Sequence, residues 1–214
     1  MYKNFFKRAI DIVISLVALP FFCLGFIFIA PLVYFTDKGP IFYNAIRRGK
    51  NGKDFKMYKF RSMKVNAPDL RNADGSTYTG NDDPRVTKIG KILRKTSLDE
   101  IPQFLNVLKG DMSLIGPRPT LATKEYIESE LDENRLKHYS VRPGITGYSQ
   151  AYFRNSISQD EKFANDAYYA DNLTFIFDVK ILFKTVASVL GQKNINASEP
   201  LVSKTEEEKV EAKV

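Results

Sequence analysis

The sequence predicts an α+β protein, mainly helical with a small β-hairpin, held on a membrane by its N-terminal segment. Three observations predict it. Residues 12–35 carry no charged side chain and exceed the roughly 20 apolar residues needed to cross a bilayer. Residues 86–95 read as an amphipathic helix, 160–170 as a further helix, and 174–190 as an apolar helical run broken by Asp178, Lys180 and Lys184. Two short alternating runs, 41–46 and 55–60, flank a turn containing Gly49 and Gly52 and read as a strand pair. The expected organisation is a membrane-embedded segment over 1–36, a cytoplasm-facing domain with interfacial helices over 37–192, and a charged tail over 193–214 too polar to fold.

The 214 residues carry a formal net charge of +7, with one cysteine and one histidine. That length supports one domain with a real core. The positive balance selects anionic partners: nucleic acid, an anionic membrane surface or phosphorylated substrates. A lone Cys23 excludes an intrachain disulfide and fits a reduced compartment. A lone His138 excludes a histidine zinc cluster and is expected at the surface or behind a site residue.

The N-terminal run is too long for a cleaved signal peptide and lacks a small-x-small site. Pro20 sits in its middle and Pro31 near its end, which predicts a bend or break. Both flanks are basic: Lys3, Lys7 and Arg8 before, Lys38, Arg47, Arg48, Lys50 and Lys53 after. Positive flanks stay cytoplasmic, so a monotopic, re-entrant helix-break-helix turning at Pro20 satisfies both features. A straight spanning helix would put the rest of the chain outside. Asp11 is expected to pair with a nearby Lys or Arg at the interface.

In the strand pair, Lys59 and Arg61 would share one face, as an anion-binding pair or as a solvated edge. Residues 66–83 read as a polar loop. The helix over 86–95 has Ile89, Ile92 and Leu93 on one side and Lys88, Lys91, Arg94 and Lys95 on the other. Beyond it come Thr96-Ser97-Leu98-Asp99-Glu100-Ile101-Pro102-Gln103. Two adjacent acids among fixed cations suit a divalent metal and a phosphorylated substrate: a carboxylate binds Mg²⁺ or attacks phosphorus, while Arg and Lys hold phosphate oxygens. Ser97-x-x-Glu100 also matches a capping box. Pro102 opposes that register, because it would fall deep inside the helix; a start between Asp99 and Pro102 leaves Asp99 as a candidate N-cap.

Phe104, Leu105 and Leu108 then form an expected buried stripe, stopped at Gly110. Gly116-Pro117-Arg118-Pro119 is stiff and holds Arg118 at little entropic cost. Residues 122–138 are charged and expected to be helical. Arg142-Pro143-Gly144-Ile145-Thr146-Gly147 reads as a glycine turn offering backbone amides to an anion. The helix over 174–190 suits either a membrane interface or a buried core.

These motifs together resemble a known family. Tyr58-Lys59-Phe60-Arg61-Ser62-Met63, Asp83-Pro84-Arg85-Val86, Ser97-Leu98-Asp99-Glu100-Ile101-Pro102-Gln103, the run from Asn106 through Gly116-Pro117-Arg118-Pro119, and Arg142-Pro143-Gly144-Ile145-Thr146-Gly147 follow in the order found in the bacterial sugar transferases. These are the monotopic phosphoglycosyl transferases, here in the small form. The likeness covers about residues 6–190.

The resemblance implies transfer of a sugar-1-phosphate from a UDP-sugar to undecaprenyl phosphate, with release of UMP, at the start of a surface polysaccharide, capsule or other glycan. It implies a re-entrant helix in the bacterial inner membrane and a catalytic domain on the cytoplasmic face. Asp99 is then the nucleophile, forming a covalent phosphosugar intermediate and helping to bind Mg²⁺, with Glu100 assisting. Lys59, Arg61, Arg94, Arg118 and Arg142 are then phosphate or nucleotide-sugar contacts. A homodimer is left open, and nucleic acid is not an expected partner.

The chain departs from the usual pattern at Leu19-Pro20, where Ser-Pro is common, at Ala45 in place of glutamine, and at Tyr148-Ser149-Gln150 in place of Trp-Ala-Gln. These leave the acid pair untouched and bear on sugar or nucleotide contacts. Two other function classes stand beside this one. A basic nucleic-acid-binding module leaves the apolar segment and the acids without purpose. A non-catalytic membrane scaffold would assemble normally and release no UMP.

Overall fold

The computed structural model describes residues 2–70, 78, 80, 82–122, 126–153 and 156–191. The expected tail over 193–214 lies outside them, as does part of the loop over 66–83.

A π-helical turn, Tyr2–Phe6, leads into α1, Lys7–Asp37. The expected break at Pro20 is absent: α1 is one 31-residue helix with Pro20 and Pro31 inside it. Each proline removes one backbone hydrogen bond and crowds the preceding turn, and the remaining bonds of so long a helix hold it together. Common placement of its two ends comes from packing instead. Near the start, Lys7 pairs with Asp178 at 2.7 Å, Arg8 donates to Val107 O and Leu108 O, and buried Asp11 accepts from Leu114 N. Asp11 is therefore bound by an amide rather than by the expected cation. At the far end, Ile29 and Val33 pack on Phe60 and Leu93, and Asp37 pairs with Arg61. Both ends of α1 thus rest on one domain. Its outward face, including Val13, Val17, Phe21, Ile27 and Phe28, stays exposed and apolar.

The helix stops at Lys38, which takes a left-handed conformation. β1, Phe42–Arg48, and β2, Asp54–Phe60, pair antiparallel in the register Phe42↔Phe60 to Arg48↔Asp54. After residue 86 come α2, Lys88–Thr96, and α3, Gln103–Lys109, then β3, Ser113–Ile115, and β4, Thr120–Leu121. β4 adds to the free edge of β1. The helix expected over 122–138 is shorter: a 3₁₀ turn at Glu128–Glu130 precedes α4, Glu133–Ser140, which begins where Asp132 caps Arg135 N.

β5, Gly144–Thr146, pairs parallel with β3. Gly144 N donates to Pro117 O, and the segment is a strand rather than the expected glycine turn. Glycine is required there, since a Cβ on Gly144 would lie 2.1 Å from Gly116 N. α5, Tyr148–Tyr152, α6, Gln159–Asp171, and α7, Phe175–Leu190, complete the fold, with capping boxes or caps at Ser158 and Thr174.

α7 has one buried side and one exposed apolar side. Ile181 and Asp178 are buried in the core with Tyr169 and Ile115, while Phe175, Ile176, Phe183 and Val186 face outward. His138 is a core residue rather than a surface one: it is 4% exposed, and its Nδ1 lies 2.9 Å from Asp166 Oδ2.

Candidate active site

The acids sit at the junction of α2 and α3. Thr87 caps α2 through Gly90 N, and α2 ends at Ser97, whose φ of 59° turns the chain sharply. Leu98–Glu100 then form a 3₁₀ turn, and Pro102 leads into α3 in a helical conformation. The Ser97 side chain caps nothing and Asp99 is not an N-cap, so neither capping alternative holds.

The two carboxylates have different surroundings. Glu100 Oε1 lies 2.5 Å from Lys59 Nζ and 3.6 Å from Arg118 Nη2. Burial alone would raise its pKa, but Lys59 and Arg118 outweigh that and hold it at about 2. Asp99 is 8% exposed, and no side chain among the described residues hydrogen-bonds or ion-pairs with it. Burial pushes its pKa up to about 6; the Glu100 charge adds to this, while Lys59, Arg94 and Arg118 oppose it. A carboxylate poised near neutrality, inside a field of cations and without a fixed partner, is suited to chemistry rather than to structural pairing.

Each cation is positioned by a distinct element. Lys59 projects from β2. Arg94 belongs to the last turn of α2, with Nε donating to Ser62 Oγ at 2.9 Å. Arg118 projects from the turn after β3, between buried Pro117 and Pro119, with more than half of its side chain exposed.

Arg61 and Arg142 do not join this group. Arg61 is buried, with Nη1 on Asp37, Nε on Pro40 O and Nη2 on Val33 O, so it fastens the end of α1. It lies one residue beyond β2 and is not the partner of Lys59 that strand alternation suggested. Arg142 donates to Gly110 O, at the far end of α3 from the acids.

Gln103 and Asn106 carry roles that hydrophobic patterning did not reveal. The buried face of α3 is Gln103, Asn106 and Val107, not Phe104, Leu105 and Leu108. Asn106 accepts from Tyr58 N and donates to Lys56 O and Asp111, tying α3 to β2. Gln103 is 2% exposed; its side chain acts on Glu100, but Nε2 has no partner of good geometry. The signal available in sequence was the pair of amides one helical turn apart, on the face that carries Val107.

Among the described residues no three His, Cys, Asp or Glu side chains converge to cage a metal. Mg²⁺ commonly uses one or two carboxylates, with water and substrate phosphates completing its shell. A single Asp99 carboxylate without a side-chain partner, in the field of Lys59, Arg94 and Arg118, fits an ion whose remaining ligands come from water and a bound anion. The site also has a fixed relation to the apolar helix. The first half of α1 packs on α3 and its second half on α2, so the acids at the α2–α3 junction lie over the middle of α1.

Comparison with known proteins agrees with this arrangement. The family model for bacterial sugar transferases matches residues 2–192. The chain is 40% identical over 189 residues to the uncharacterized sugar transferase EpsL of Bacillus subtilis, covering 88% of this chain and 89% of that one. It is 40% identical over 190 residues to a UDP-N-acetylgalactosamine-undecaprenyl-phosphate N-acetylgalactosaminephosphotransferase of Aeromonas hydrophila, covering 87% of this chain and 44% of that one. It is 39% identical over 206 residues to the undecaprenyl-phosphate galactose phosphotransferase of Salmonella typhimurium, covering 88% and 41% respectively. The last two relatives are longer proteins matched over less than half their length. With its acids and cations gathered at one junction, and a family match across nearly its whole described length, this chain belongs to the bacterial sugar transferases and is a transferase enzyme.

Proposed function

We propose that this protein transfers a sugar-1-phosphate from a UDP-sugar to undecaprenyl phosphate at the inner membrane of a bacterium, with its catalytic domain on the cytoplasmic face. The observation that carries this reading is the free, buried Asp99 carboxylate facing Lys59, Arg94 and Arg118 while Glu100 takes the ion pairs. An Asp99 oxygen attacks the phosphorus attached to the sugar. The new O–P bond forms as the bond to the UMP phosphate breaks, and UMP leaves with that electron pair. A phosphate oxygen of the lipid then attacks the same phosphorus, restoring the Asp99 carboxylate and leaving a lipid diphosphate sugar. Two easier displacements replace one difficult one.

Both displacements bring anion to anion, so fixed positive charge is the main requirement. Arg94 and Arg118 hold the diphosphate oxygens, and Lys59 keeps Glu100 ionised and directed toward the site. Asp99, with the diphosphate, would hold Mg²⁺, which supplies further charge neutralisation. Placement over the middle of α1 suits an acceptor confined to a bilayer. Two ends of α1 on one domain, together with the outward apolar faces of α1 and α7, support a monotopic helix lying in one leaflet over a spanning one. A role at the start of exopolysaccharide or capsule assembly follows from the same acceptor chemistry.

The test is UMP release from a panel of UDP-sugars with undecaprenyl phosphate. Multiple-turnover release that needs the lipid, with no more than one equivalent of UMP per enzyme in its absence, and that stops with a Mg²⁺ chelator is expected for at least one sugar. A phosphosugar adduct trapped on a side chain other than Asp99 would refute the mechanism, and membrane-assembled protein inert toward every UDP-sugar would favour a scaffold.

A further inference from the structure

The C-terminal end of α3 gathers a second set of cations, at the opposite end from the acids. Arg8 donates through Nη1 to Val107 O at 2.7 Å and through Nη2 to Leu108 O at 3.2 Å. Arg142 donates through Nε to Gly110 O at 3.0 Å. Both guanidiniums sit at the carbonyl end of one helix, where positive charge is favoured. The β1–β2 turn adds a third cation: Gly49 packs toward the Pro143 ring, which brings Lys50 beside Arg142. Burial holds the Lys50 ammonium below its usual range, and the charges of Arg142 and then Lys3 hold it lower still. Arg142 also repels Arg8; Asp11 is the carboxylate whose field reaches Arg8, and its oxygen is bound to Leu114 N.

Among the described residues, the side chains of Lys3 and Lys50 have no hydrogen-bond or ion-pair partner, and Gly110 O is the one partner of the Arg142 side chain. Four cations converging in this way repel one another unless an anion joins them. Their location says which anion. Lys3 and Arg8 bracket Phe5 and Phe6, which are 66% and 48% exposed, and the exposed apolar face of α1 begins directly after them. Headgroup phosphates lie at such a boundary, where clustered Lys and Arg attract anionic lipid.

We propose that Lys3, Arg8, Lys50 and Arg142 form a second phosphoryl-anion site at the membrane interface, separate from the Asp99 centre. Arg8 and Arg142 form its fixed floor, braced on α3. Lys3 and Lys50, both exposed, add charge from two different segments. The site rests on the membrane placement proposed above, and its test keeps the two apart.

The full-length protein is floated with liposomes of phosphatidylcholine alone or mixed with phosphatidylglycerol. The double variant Lys3→Gln/Lys50→Gln replaces side chains without partners, so its fold is expected to survive. Wild type should prefer the anionic liposomes, and the variant should lose that preference by roughly tenfold or more, with neutral-liposome binding unchanged. The charge-matched double variant Lys56→Gln/Lys91→Gln, at two exposed lysines outside the cluster, should lose less than about threefold. Equal losses in the two variants would mean diffuse attraction and overturn the site. Failure to float with either liposome would sink the membrane placement instead.

A second measurement follows acetylation of Lys50 by an amine-reactive reagent. Protection by phosphatidylglycerol liposomes alone assigns the anion to a lipid headgroup. Protection by inorganic pyrophosphate in detergent assigns it to a soluble phosphate. Protection by neither overturns the site.

Discussion

Asp178 and Asp99 are both buried acids near cations, and they behave in opposite ways. Asp178 accepts from Tyr2 OH at 2.6 Å, Lys7 Nζ at 2.7 Å and Tyr169 OH at 2.8 Å. Its oxygens are occupied, and it fastens the start of α1 to α7 and the core. Asp99 has three cations in its field and no hydrogen-bonding partner among the described residues. Saturation makes one carboxylate a structural tie; its lack leaves the other available to a metal or to phosphorus. Burial beside positive charge is common to both and does not by itself mark a catalytic acid.

Substitution should separate the two most sharply. Asp99→Asn is expected to lower UMP release by at least about a thousandfold while the protein stays folded in the membrane. Its stability at neutral pH should rise. A carboxyl whose pKa is raised on folding contributes stability below its unfolded value near 4 and loses it as pH rises through about 6, so removing the charge relieves a cost on the order of 2–3 kcal/mol. Asp178→Ala should do the reverse: it leaves Lys7 buried without a partner and should cost about 3–5 kcal/mol, read as a lower melting temperature in detergent. Equal destabilisation by both changes would erase the contrast.

The arginines offer the next test. Arg94→Gln should reduce kcat/KM about a hundredfold, with melting little changed. Arg61→Gln should lower melting temperature and leave kcat/KM of the folded protein near wild type, because its guanidinium is bound to Asp37, Pro40 O and Val33 O. A large rise in KM for Arg61→Gln would return it to the substrate.

The pH profile sharpens the comparison further. Activity should rise through an acid limb near pH 6 as Asp99 ionises. Glu100→Gln removes a like charge and should move that limb to lower pH, while Arg94→Gln should move it higher. The smallest effect is expected from Ser62→Ala, which removes the acceptor that orients Arg94; about a threefold loss of kcat/KM, rescued by Ser62→Thr, would mark Ser62 as a positioning residue.

Local order along the chain was legible wherever one segment determines its own conformation. The hairpin follows from alternation around Gly49 and Gly52, and its register came out as Phe42 opposite Phe60. A helix expected over 160–170 is α6, Gln159–Asp171. Pro102 opposed an α-helix capped at Ser97 and placed its start between Asp99 and Pro102; α3 has Pro102 at its N-cap position and begins at Gln103. The motifs also carried the family, which the comparisons bear out.

What needed the tertiary structure was the destination of each polar group, because a partner can lie a hundred residues away. Pro20 and Pro31 predict a bend or break when α1 is read alone; the helix is unbroken, and anchors at Asp178, Val107 and Arg61 bring its two ends to one domain. Arg61, Arg94 and Arg142 look alike as basic residues in motifs, yet one fastens α1, one faces Asp99 and one braces the end of α3. Buried Gln103 and Asn106 break the apolar stripe expected of α3, since their burial is favourable only where β2 and Glu100 supply contacts. Sequence sets which side chains carry charge and which segments turn; only packing decides which charges are left without a partner, and the chemistry proposed for Asp99 rests on its being one of them.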